Sequence, residues 1–185
     1  MTLEEAARLA GGLHWVESRL FEVLGGWVAS TPEVEVKLLF DRHSQHHAWR
    51  ARQWWDRLPV LAGVDRDALC VAPSAAGDDA ASALAALDHT VTRLAGAYRV
   101  AVPRLVVAYV DLRSRANPAS DGSMIRTLEV VSADLTADWR EGEAKLQAML
   151  PTPAAIDAAA GAVSLLERTL LGSPAGAGGD QARPV

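Results

Sequence analysis

A single cysteine, Cys70, stands in 185 residues, so no internal disulfide is possible and a reducing compartment is expected. Nothing in the sequence marks a base beside it, and it reads as a small residue of a connecting segment rather than a catalytic thiol. Positive charge is scarce as well. Lys and Arg number 18 against 23 Asp and Glu, for a formal net charge of −5. Nucleic-acid binders and binders of anionic membranes need a basic footprint, so the balance argues against both. Arg42, Arg50, Arg52 and Arg57 do interleave with tryptophans, but Asp41 and Asp56 dilute that patch. No uninterrupted apolar run is long enough for a bilayer, and the acidic start MTLEEAARLA lacks the features of a signal peptide. A glycine-rich phosphate loop, a nucleophile elbow, a zinc-ribbon cysteine pattern and a solenoid repeat are all missing. The absences leave a soluble, cytoplasmic protein as the expectation. With 50% hydrophobic residues it has enough apolar mass for one sizeable core.

What is present is helix almost throughout. Apolar periodicity predicts helices over residues 2–28, 32–57, about 79–113, about 122–149 and, shorter, about 153–171. Ser30 or Thr31 is placed to cap the second, with Pro32 in its first turn and Glu33 and Glu35 near its positive end. Pro59 closes that helix, NPASDG parts the third from the fourth, and Pro151 and Pro153 bracket the start of the fifth. Pro103 within the third predicts a kink or, alternatively, two separate helices. After Leu171 the chain reads GSPAGAGGDQARPV, with nothing to bury. Residues 1–171 therefore read as one helical domain and 172–185 as a disordered tail. About three residues join the first two helices, which makes them antiparallel neighbours. The next connection, PVLAGVDRDALCVAPSAAGDD, is long enough to run the length of a bundle.

Placing residues at about 100° per step sorts the helix faces. The first helix turns Leu3, Ala6, Ala10, Leu13, Leu20, Phe21, Leu24 and Val28 inward, with Glu17 in their midst and His14 beside it. The second turns in Val36, Leu39, Phe40, Ala51, Trp54 and Leu58. His43 and His47 fall on its centre line, His46 toward one edge, and Arg50 leans inward. Folding the hairpin about residues 30 and 31 sets Glu17 opposite the interval between His43 and His47, at about 1.5 Å of rise per residue. A buried carboxylate is thus expected to face two buried imidazoles spaced i, i+4.

This hairpin, with an inward glutamate, an inward histidine and a long crossover behind it, resembles the ferritin-like superfamily. The resemblance covers roughly residues 3–150 at the level of architecture. It implies an all-α, ferritin-like four-helix bundle with a long second-to-third helix crossover and a short fifth helix. It also implies metal ligands. Members with intact sites hold two metal ions, usually iron, through one Glu from each of two helices and a Glu-x-x-His from each of the other two. Glu17 matches the first-helix carboxylate, and His43 or His47 the second-helix histidine. The sequence departs from the pattern elsewhere. Phe40, His43 and Ser44 stand three residues before His43, His46 and His47, so no Glu-x-x-His exists there. The third helix offers Leu84, Leu87, Val91, Leu94, Tyr98, Val102, Leu105 and Tyr109 inward, with Asp88 only at the flank. The fourth offers Leu128, Val131, Leu135, Trp139 and Leu146, and its Glu129 points away. The four-carboxylate di-iron centre is not expected.

Two readings of the polar centre stay open. Glu17, His43 and His47 suit one divalent ion, iron, manganese or zinc, in a mononuclear binding protein or oxidoreductase. Alternatively they neutralise one another, with Arg50 in reach, in a non-catalytic interaction or accessory protein. A homodimer through the first two helices is a further expectation, because Trp15 and Trp49 project from their outer faces at about one level, with Trp27 and Trp55 at the shoulders.

Overall fold

The computed structural model describes residues 1–60 and 63–172, among which there is no strand. The helices are α1 (Leu3–Val28), α2 (Val34–Trp55), α3 (Ala75–Ala85), α4 (Thr90–Ala95), α5 (Val102–Arg115), α6 (Gly122–Ala148) and α7 (Pro153–Leu170). A 3₁₀ turn, Asp67–Leu69, precedes α3, and a π turn, Gly96–Ala101, joins α4 to α5. Of the expected tail only Gly172 is among the described residues.

Local chemistry sets most boundaries. Thr2 opens α1 with a capping box: its hydroxyl accepts from Glu5 N at 3.2 Å, and the Glu5 carboxylate accepts from Thr2 N at 2.8 Å. Thr152 caps α7 by accepting from Ala155 N at 3.3 Å, with Pro153 in its first turn. At α2 the expected cap is not used. Thr31 instead donates to Trp27 O at 2.8 Å, which satisfies an end carbonyl of α1, and α2 begins only after Glu33.

The third predicted helix differs most. It parts at residues 86–89, where Arg93 Nε donates to Leu87 O at 2.8 Å and His89 is extended. α3 thereby becomes a separate helix of the crossover, lying against α1 and α7. The helix then runs on from Thr90 to Arg115 through Pro103. Proline has no N–H to give and its ring crowds the carbonyl four residues back. The π turn just ahead, in which Val102 N–H bonds to Ala97 O five residues back, lets the chain pass without ending.

α1 and α2 form the expected antiparallel hairpin, α5 and α6 form another, and α2 packs on α6. The crossover is seated on α1 at Gly11, where a Cβ would lie 2.0 Å from Leu69 O. The core runs through Leu24, Phe40, Trp54, Leu94, Tyr98, Tyr109, Leu128 and Leu135. The inward face expected of α2 is buried at every position, His43, His47 and Arg50 included. On α1, Leu3 and Phe21 lie outside instead, and Trp27 lies inside with its ring against Phe40. Trp15 lines a groove beside α5, whereas Trp49 shares a flank of α2 with His46 and Gln53, which face α6. The two indoles therefore occupy different flanks of the hairpin. No helix among the described residues is long and apolar enough to cross a membrane.

Candidate metal centre in a buried charge network

Arg50 is the hub of the polar centre. It is fully buried, and its Nε donates to Glu17 of α1 at 3.1 Å and 3.3 Å. Its Nη1 donates to Asp138 of α6 at 2.8 Å and also to Asp134. Three carboxylates thus converge on one guanidinium. Burial acts against the charge of Arg50, but these carboxylates more than reverse that, so its pKa is raised and it stays ionised.

Glu17, buried as expected, is met from three sides. His47 Nδ1 lies 2.5 Å from its Oε2, Arg50 reaches both oxygens, and Tyr109 donates its hydroxyl to Oε1. Trp54 Nε1 in turn donates to the Tyr109 oxygen at 2.8 Å. Burial raises a carboxyl pKa, yet His47, Arg50 and Tyr109 together hold Glu17 below its ordinary value. Glu17 is therefore anionic, and Arg50 Nη2 also lies 3.0 Å from the same His47 Nδ1. The opposite nitrogen, Nε2, is buried and finds no hydrogen-bond partner among the described residues.

His43 turns elsewhere. The expected trio does not gather at one point: Glu17 meets His47, while His43 faces α5 and α6. One helical turn separates the two histidines by about 6 Å along the axis, and each finds the partner at its own level. His43 Nδ1 lies 2.8 Å from the Tyr98 hydroxyl, and its Nε2 lies 3.3 Å from Glu141 and 3.5 Å from Asp138 Oδ1. His46 Nδ1 reaches the same Asp138 oxygen at 2.8 Å. Tyr98 is set by α6 itself. Its ring lies on Gly142, where a Cβ would come within 2.2 Å, and its carbonyl accepts from Trp139 Nε1 at 2.9 Å. Tyr98 thus bonds His43, and it is Tyr109 that serves Glu17.

The electrostatics suit a ligand set. Burial lowers the pKa of His43, and the carboxylates of Asp138 and Glu141 offset this only in part, so its imidazole is neutral at neutral pH. Burial raises Asp138, but His43 and Arg50 outweigh it and keep its pKa below the ordinary value. Burial and the carboxylates of Asp138 and Glu141 push the Tyr98 phenol well up, so it keeps its proton. His43, His46 and Asp138 each offer one ligand atom, all within 4.8 Å of one another. Donors about 2.0–2.2 Å from a shared divalent ion stand about 3–3.5 Å apart. Within this trio the 3.5 Å edge from His43 Nε2 to Asp138 Oδ1 matches that spacing, and the 2.8 Å edge from His46 Nδ1 falls slightly inside it. Glu141 stands beside the trio, 3.3 Å from His43 Nε2. The cluster opens between α2 and α6, where the His46 and Glu141 side chains are 38% and 52% exposed.

Sequence reading placed Glu17, His43, His47 and Arg50 inside but missed the acids of α6. Their signal was there: Asp134, Asp138 and Glu141 recur at i, i+4 and i+7, a helical stripe flanking Val131 and Leu135. No protein-family model matches the chain, and no curated protein or solved structure does either.

Proposed function

We propose that the protein is a ferritin-like helical bundle that binds one divalent cation of the iron, manganese or zinc type through His43, His46 and Asp138, with Glu141 alongside. The observation that carries this is the convergence of these ligand atoms from α2 and α6 within 4.8 Å. Two imidazoles and a carboxylate leave coordination positions for water or a small substrate, and the exposed side of His46 gives an entry path. The ordinary two-metal centre of a ferritin-like protein does not fit. Arg50 sets a permanent positive charge among Glu17, Asp134 and Asp138, the carboxylates a second ion would need.

The surrounding residues support one cation in three ways. Arg50 holds Asp138 Oδ2 and leaves Oδ1 free to turn to the histidines. Tyr98 fixes the ring plane of His43. It can also donate to Nδ1 or accept from it, so the His43 proton can leave Nε2 for Nδ1 when a cation arrives. Third, Glu17 and Asp138 share one buried guanidinium and the part-exposed Asp134 adds a third carboxylate, a charge balance that favours a cation at the centre.

The test is metal analysis of the untagged protein after loading with iron(II), manganese(II) or zinc(II) and removal of free ion. One equivalent is expected, lost in Asp138→Asn and His46→Ala and kept in Glu17→Gln. A competing reading, a cation-free charge network in an accessory protein, is favoured by the same Arg50 contacts. It predicts no stoichiometric ion in any variant.

A further inference from the structure

α1 and α5 meet through Tyr109 and Glu17 on the side of the histidines and flank a groove on their other side. Between them, with α3 and α7 alongside, lies a half-open cavity of about 300 Å³ to which α2 and α6 contribute no residue. Leu20 and Val23 of α1, Leu105 of α5 and Leu166 of α7 make its walls apolar. Among the described residues its charged lining groups are two arginines, Arg19 and Arg104, and no carboxylate.

Both arginines have donors to spare. The Arg19 guanidinium lies over the Trp15 ring, 5.9 Å from its centre, and its Nε is buried without a partner among the described residues. Arg19 pairs with Glu22 at 2.6 Å and Arg104 with Glu167, both of them exposed carboxylates outside the cavity. A guanidinium carries five N–H groups, so each pairing leaves others for a second anion. The amino end of α3, at Ser74 and Gly77, lines the same space and adds the positive pole of a helix.

An apolar space whose charges are all positive is complementary to an amphipathic anion. The space is open to solvent along one side, so a chain can enter it lengthwise with its head group at the rim arginines. We infer that it is a second binding site, for an aliphatic carboxylate whose chain lies between α1 and α5 and whose carboxylate pairs with Arg19 and Arg104. The site is independent of the cation proposed above.

Calorimetric titration of the full chain with decanoate tests this, with decanol as the uncharged probe. Saturable binding of one decanoate is expected, about tenfold tighter than decanol. The Arg19→Gln/Arg104→Gln double variant should lose that tenfold for decanoate and leave decanol unchanged. Ala81→Phe and Ala108→Trp add bulk to the space from a half-buried position of α3 and an exposed one of α5, and should abolish binding of both. Circular dichroism confirms that each variant is folded. No saturable binding, equal affinity for decanol, or indifference to either the arginine or the filling variants overturns the inference.

Discussion

Replacing Arg50 by Met puts the most weight on the charge network. Methionine fills much of the arginine stem's volume, so the loss is electrostatic rather than steric. Glu17 and Asp138 would then lie buried without the guanidinium that each now shares at 3.1 Å and 2.8 Å. Breaking a buried pair and leaving the partner charge behind costs about 3–5 kcal/mol, or roughly 10 °C of midpoint in a domain of this size. The pH dependence separates this from a packing defect. In the native protein Glu17 and Asp138 have folded pKa values below their ordinary ones, so their stabilisation is complete above those ordinary values and is lost as acid reaches the folded ones. In Arg50→Met, His47 and Tyr109 still oppose burial at Glu17, and His43 and His46 at Asp138, but loss of the guanidinium raises both folded values. The penalty is then full at neutral pH and is relieved as the carboxyls protonate on acidification. Urea unfolding of chelator-treated protein should show the full gap at pH 7.5 and a clearly smaller one near pH 5. Arg50→Lys, which keeps a charge but not the fork, should fall between, and it serves if the methionine variant does not fold. A gap below about 1 kcal/mol at pH 7.5, or one that acid leaves unchanged, would refute the reasoning.

Gly142→Ala puts a methyl 2.2 Å from the Tyr98 ring, whose hydroxyl is tied to His43 and whose backbone carbonyl is tied to Trp139, so it should cost about 1–3 kcal/mol in chemical unfolding. It should also weaken cation binding by shifting the His43 ring, and an unchanged affinity would count against Tyr98 as a positioning residue. Tyr109→Phe removes one donor from Glu17 and should cost about 1.5–3 kcal/mol at neutral pH. That loss should shrink on acidification as Glu17 protonates, and a pH-independent loss would show that packing alone is at stake.

Helix content was legible in the sequence because it rests on local rules. The period of the apolar residues and the Thr2 and Thr152 caps act within a few residues of themselves. The same locality let the inward faces of α2 and the burial of Glu17, His43, His47 and Arg50 be read without coordinates. The break at residues 86–89 was not legible, because Arg93 closes it by reaching Leu87 O through a turn that no period announces. The continuation through Pro103 was not legible either, since proline alone does not say whether a chain kinks, stops or widens into a π turn. The partners of the buried groups depended on the tertiary structure altogether. A hairpin register fixes which residues of α1 and α2 share a level, and that suffices for Glu17 and His47. Whether His43 turns to Glu17 or to Asp138 and Glu141 depends on how α6 is rotated and raised against α2, which is set by packing across the whole core, at Gly142 among other points.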